Sequence, residues 1–195
     1  MVEYRSKDEE IMASYLQTLQ DHGYVDSFDY EPTFPQVAPN LTVNYKVPRV
    51  TKEDKIVTKE LLSNTTYTPD FVIVWNKKAE GIFYKDIKNI EYNNKVYFYA
   101  EQLSKGDWEP FTSYIDVKPP AGADMCAARV FGLTQRFIYA TLGIYVQKIV
   151  VRNSARALVH NTFVPEKYRV NAKTGHVYSF GKFKAPSFNQ FLNSL

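Results

Sequence analysis

Apolar residues between Ser6 and Tyr24 fall at Ile11, Met12, Tyr15, Leu16 and Leu19, one stripe at helical spacing, which predicts a first helix. Ser6 followed by Glu9 fits a capping box, and His22-Gly23 fits a stop. Residues 25–49 hold four prolines among alternating apolar positions, which predicts extended strands and turns. "KEDKIVTKELLS", 52–63, has too weak a period to separate a short helix from an ordered loop. "FVIVW", 71–75, is a continuous apolar run of strand length and predicts a central strand covered on both faces. "IEYNNKVYFYAE", 90–101, predicts a hairpin turning at Asn93-Asn94. "SYIDV", 113–117, is the next core strand, ended by Pro119, Pro120 and Gly122.

"ADMCAARVFGLTQRFIYATLG", 123–143, predicts a second long helix, with Val130, Phe137, Ile138 and Thr141 on one side and Gly143 as its cap. "IYVQKIVV", 144–151, follows as a buried strand. Strand, helix and strand in succession predict a parallel crossover in a mixed sheet. "NAKTG" predicts a turn between two further strands, and "SFNQFLNSL" a short closing helix. The expectation is one α/β domain over 1–195, a mixed central β-sheet flanked by helices, with a basic C-terminal part at 152–195.

Charge sharpens that picture. Residues 1–118 hold 14 Lys/Arg and 19 Asp/Glu, whereas residues 119–195 hold 10 Lys/Arg and only 2 Asp/Glu. The basic end points to an anionic partner, with nucleic acid foremost. One cysteine, Cys126, excludes an intramolecular disulfide and a cysteine-based zinc cluster. The acidic start "MVEYRSKDEE" has no apolar core of a secretory signal, and no apolar run approaches the roughly 20 residues that span a bilayer. These features predict a cytoplasmic chain with no membrane partner.

The chemistry concentrates where carboxylates adjoin buried strands. Residues two apart on a strand share a face, so Asp116 and Lys118 project together while Ile115 and Val117 face the core. Asp70 stands at the entry to "FVIVW", after Pro69. If the two strands are neighbours, three ionisable groups meet at one sheet edge. Two carboxylates at close range repel unless a proton or cation lies between them. Oxygen-only ligands favour a hard ion, Mg²⁺ or Mn²⁺.

P-D, then D-x-K on the next core strand, then helix and strand, resembles the PD-(D/E)xK nuclease superfamily. "S-x-x-E", "YLQTL", "GYV", "YTPDFVIVW" and the closing "NTFVPEKYRV" resemble phage Holliday-junction-resolvase-like endonucleases. The resemblance spans most of the chain. It implies a restriction-endonuclease-like core and a Mg²⁺-dependent endodeoxyribonuclease acting on branched DNA in phage recombination or packaging, as a possible homodimer in the host cytoplasm. It also implies that Asp70, Asp116, the carbonyl of Val117 and the first-helix Glu9 are metal ligands, with Lys118 the catalytic lysine. Two features depart from the family pattern: Asp stands for the commoner Glu of D-x-K, and the Asp70–Asp116 interval is long, with a hairpin at 77–113 that reads as an insertion against that pattern.

The remaining candidates are contacts to nucleic acid. Gln135 and Tyr139 share a helix face, and their Q-x-x-x-Y spacing echoes a motif in some relatives. Arg129 and Arg136, seven apart, are candidates for phosphates. So are Lys167, Arg169 and Lys173 of the basic tail, whose aromatic residues are expected mainly to build the sheet. His22, His160 and His176 lack metal-ligand spacing and are expected to be structural. The alternative function is a non-catalytic nucleic-acid-binding or virion structural protein on the same fold.

Overall fold

The computed structural model describes residues 3–33, 36–89, 96–102, 110–120, 125–170 and 186–195, with side chains of the second long helix from Val130 onward. Helix α1, Lys7–Asp21, begins where the Ser6 hydroxyl accepts the Glu9 amide, and it ends before Gly23, whose φ of 73° suits a residue without Cβ. Strand β1, Val25–Tyr30, follows at once. Short strand β2, Gln36–Ala38, precedes β3, Leu41–Val47, and β4, Lys55–Leu62. The β3 and β4 strands pair antiparallel as a two-stranded arm, so the 55–62 part of 52–63 is neither helix nor loop but supplies half of a hairpin. β5, Thr65–Thr66, pairs back with β2 and closes the base of the arm.

β6, Phe71–Trp75, lies at the centre of the molecule. β7, Tyr84–Asp86, and β8, Phe98–Ala100, then pair in parallel, not as the expected hairpin. The turn assigned to Asn93-Asn94 lies outside the described residues. Parallel pairing needs a crossover connection, which a two-residue turn does not supply. β9, Phe111–Val117, α2, Met125–Leu142, and β10, Val146–Ile149, complete the core. Short helices α3, Leu158–Asn161, α4, Glu166–Arg169, and α5, Phe188–Leu192, follow. The closing helix is as expected, with a Ser187–Gln190 capping box. The strands expected around "NAKTG" lie outside the described residues.

The main sheet has the order β1-β6-β9-β10. Its first three strands are antiparallel, and β10 joins β9 in parallel through α2, the crossover that the sequence predicts. Phe71, Ile73, Trp75, Ile115 and Val117 face α1 and its stripe of Ile11, Met12, Tyr15, Leu16 and Leu19. Fully burying each large apolar side chain here contributes about 1.5–3 kcal/mol. Tyr114, Val72 and Val146 face the other way, against Ile138 and Phe131 of α2. Cover is thus complete on the α1 face of β6, while Val72 and Val74 are half-buried on the other.

The packed side of α2 is not the expected one. Ile138 is buried, but Val130 and Phe137 are 61% and 45% exposed, and Thr141 is exposed too. Phe131, Gln135 and Leu142 flank Ile138 on the packed face instead. Gly143, with φ 69°, ends the helix as expected and donates its amide to the Tyr139 carbonyl. Among the described residues, no helix is long and apolar enough to cross a membrane.

Candidate active site

The antiparallel pairing of β6 with β9 sets Phe71 opposite Ile115. One step beyond that pair stand Asp70 on one strand end and Asp116 on the other. Pairing across 46 residues of sequence therefore brings the two acids together at one edge of the sheet. Asp116 is 4% exposed, sharing the α2 side of the sheet with Tyr114. Lys118, the next residue on that side, reaches back with Nζ 3.1 Å from Asp116 Oδ2 and 3.8 Å from Asp70 Oδ2. The three groups expected to converge do so.

Backbone and side-chain donors fix both carboxylates. The Val117 amide donates to Asp70 Oδ2 at 2.7 Å, so the loop ahead of β6 is tied to the end of β9. The Tyr67 hydroxyl donates to Asp116 Oδ1 at 2.6 Å. Burial, reinforced by the charge of Asp116, pushes the Asp70 carboxyl up to about 6, against the opposing pull of Lys118 and the Val117 amide. Burial also pushes the Tyr67 hydroxyl up, with Asp116 adding to it, so Tyr67 remains a donor. The crowding that raises the Asp70 carboxyl beside a second acid is what a cation between them would relieve. The oxygen donors present suit Mg²⁺ or Mn²⁺.

Glu9 stands in the next layer. It is buried, as its place beside the Met12/Leu16 stripe predicts, and its charge adds to the rise of Asp70. Its Oε2 accepts the Tyr30 hydroxyl at 2.6 Å and the Arg5 amide at 3.1 Å, and Oε1 accepts the Ser6 hydroxyl at 2.8 Å. The carboxylate thus serves as an anchor between α1 and β1. Among the described residues, no three acidic, histidine or cysteine side chains gather closely enough to hold one ion. The structure brings Asp70, Asp116 and Lys118 together and leaves Glu9 beside them.

The other candidates are dispersed. Gln135 donates to the Val146 carbonyl at 2.6 Å, fastening α2 to β10, while Tyr139 is exposed. Arg136 is exposed on α2. Lys167 Nζ lies 3.1 Å from Glu10, and Arg169 pairs with Glu166 at 3.3 Å. With Lys7 and Tyr168, Lys167 holds the Glu10 carboxyl down at about 2, which links α4 to α1. The side chain of Arg129 and all of Lys173 lie outside the described residues, as do the side chain of Cys126 and His176. His22 and His160 each bond a backbone carbonyl through Nδ1, as structural histidines do.

Sequence reasoning missed Tyr67. Its only signal is its place three residues ahead of Asp70 in "YTPD", whereas its partner is 49 residues away. No protein-family model, no curated protein and no solved structure matches the chain.

Proposed function

We propose that the protein is a metal-dependent endodeoxyribonuclease of the PD-(D/E)xK type, acting on branched, Holliday-junction-like DNA in phage recombination or packaging. The observation that carries this reading is the meeting of Asp70, Asp116 and Lys118 at one edge of the sheet. The sheet order, with three antiparallel strands and a parallel fourth reached through a helix, supports a restriction-endonuclease-like core. The likeness of "YTPDFVIVW" and "NTFVPEKYRV" to phage resolvases supports the substrate, and a symmetric junction would call for two copies of the chain.

Asp70 and Asp116, with the Val117 carbonyl, would hold Mg²⁺ or Mn²⁺. When bound, that ion would polarise a phosphoryl oxygen and ease ionisation of water near neutral pH. Lys118 lies where its ammonium can orient the attacking water and offset charge gathering on the phosphate. The Val117 amide and Tyr67 hydroxyl keep the two carboxylates turned toward each other. Glu9 adds negative charge behind them.

A binding-only protein is the second reading, favoured by the protein donors that already meet both oxygens of Asp116. Purified protein incubated with a four-way junction, duplex and single strands, in Mg²⁺ or EDTA, separates the two. Nuclease action predicts Mg²⁺-dependent strand scission, lost in Asp116→Asn while DNA binding survives. Intact substrates in both Mg²⁺ and Mn²⁺, with binding retained, would leave only the second reading.

A further inference from the structure

The β3–β4 arm is exposed along nearly its whole length on both faces, and it buries almost nothing of its own. A two-stranded ribbon of this kind is at best marginally stable alone in water. Its seven-residue strand extends roughly 23 Å. Residues 41–62 carry five Lys/Arg and three Asp/Glu, a net +2 inside the acidic part of the chain.

The register divides these charges by face. Val43 lies opposite Lys59, Tyr45 opposite Val57, and Val47 opposite Lys55. Directly opposed residues share a face, so these six side chains form one surface. It contains two lysines, one tyrosine, three valines and no carboxylate. Glu60 lies on the other face, opposite Thr42, where Thr58 also donates to Asn44 at 2.7 Å. Among the described residues, neither Lys55 nor Lys59 has an ion-pair partner.

The arm is also rooted beside the acidic pair. The β2–β5 pairing clamps its base, and the residue after β5 is Tyr67, which holds Asp116. We infer that the Lys55–Tyr45–Lys59 face of the β3–β4 arm is a duplex-DNA contact surface that lies along a groove next to the candidate active site. This rests on the nuclease reading for its ligand. Lys55 and Lys59 stand roughly 13 Å apart along one strand. A major groove about 12 Å wide admits a two-stranded ribbon and has phosphates along both walls, so lysines spaced along the ribbon meet successive phosphates. Tyr45 between them offers an apolar face and a hydroxyl to the groove floor.

A second copy of the chain is a poorer occupant. Two such faces meeting about a two-fold axis would bring lysines against lysines, and lysine is depleted from protein interfaces. DNA supplies the opposite charge along the whole ribbon.

The test is the binding of a labelled duplex and a labelled four-way junction in EDTA, across about 50 to 200 mM salt, by wild type and by a Lys55→Gln/Lys59→Gln variant. Each lost phosphate contact reduces the slope of log affinity against log salt by about 0.9, so the double variant should lose about 1.8. Tyr45→Ala should weaken binding while leaving the slope unchanged. Circular dichroism should show all variants folded, since the altered side chains are exposed. Wild-type slope and affinity in the double variant, with wild type cleaving DNA, would overturn the arm contact and leave the nuclease reading standing. An arm-dependent slope in a protein that cleaves nothing would support the contact and remove the nuclease. A change only in sedimentation, with DNA binding intact, would assign the face to a second copy and overturn the inference.

Discussion

Asp116 has a protein partner at each oxygen, the Tyr67 hydroxyl at Oδ1 and the Lys118 ammonium at Oδ2. The tyrosine reaches the site through Asp116. It sets the angle at which the carboxylate faces Asp70. Tyr67→Phe keeps the ring and removes only this bond, so Mn²⁺ affinity measured by calorimetry should fall about 10- to 100-fold with the fold intact. Unchanged affinity would show that Asp116 is positioned by its strand alone. Asp70 makes a prediction in pH. Its folded carboxyl holds the proton more tightly than the ordinary value of 3.8, titrating at about 6. The folded state therefore binds the extra proton, and the stabilisation it brings is complete below 3.8 and lost as pH rises through about 6. In EDTA, Tm should fall across that window, less steeply in Asp70→Asn, and Mg²⁺ should recover it above the window. The carboxylates and lysine were legible in the sequence because strand alternation and the P-D and D-x-K spacings are local. Tyr67 was not, because its meaning depends on a strand that pairs from far along the chain.

At the level of elements, α1 and the core strands could be read from periodicity because burial wrote it. Leu16 is fully buried between α1 and the sheet, and Leu16→Ala should cost about 2–5 kcal/mol in denaturant unfolding. The arm behaves oppositely. With both faces in water, β4 has no polar–apolar alternation to betray it, and its lysines and glutamate suit a helix equally well. Replacing 43–60 by a short turn should therefore shift Tm by no more than a few degrees, whereas comparable loss from β6 or β9 should unfold the protein. The packed side of α2 was misread because exposed apolar residues such as Leu133, 68% exposed, blur the stripe. The parallel β7–β8 pair was hidden for another reason: a turn-rich sequence predicts a local hairpin, while the strand pairing made here is not local.

Across the whole molecule, one sheet separates two chemistries. On one side α1 seals an aromatic core of Tyr15, Phe71, Trp75 and Phe98, and Trp75 donates to Ser113 at 2.7 Å within it. At the sheet's edge, the ends of β6 and β9 hold the acids, and the base of the β3–β4 arm leads into Tyr67, which bonds Asp116. That connection joins an electropositive ribbon able to grip an anion to an acidic pair able to hold a cation. The nuclease proposal requires that the pair bind a hard divalent ion. Electron paramagnetic resonance of free Mn²⁺ titrated with wild type, Asp70→Asn and Asp116→Asn measures that binding without any substrate. An ion held by both carboxylates gives saturable binding by wild type, displaced by Mg²⁺ and lost in each variant; equal binding by all three proteins, or none by wild type, would rule that site out.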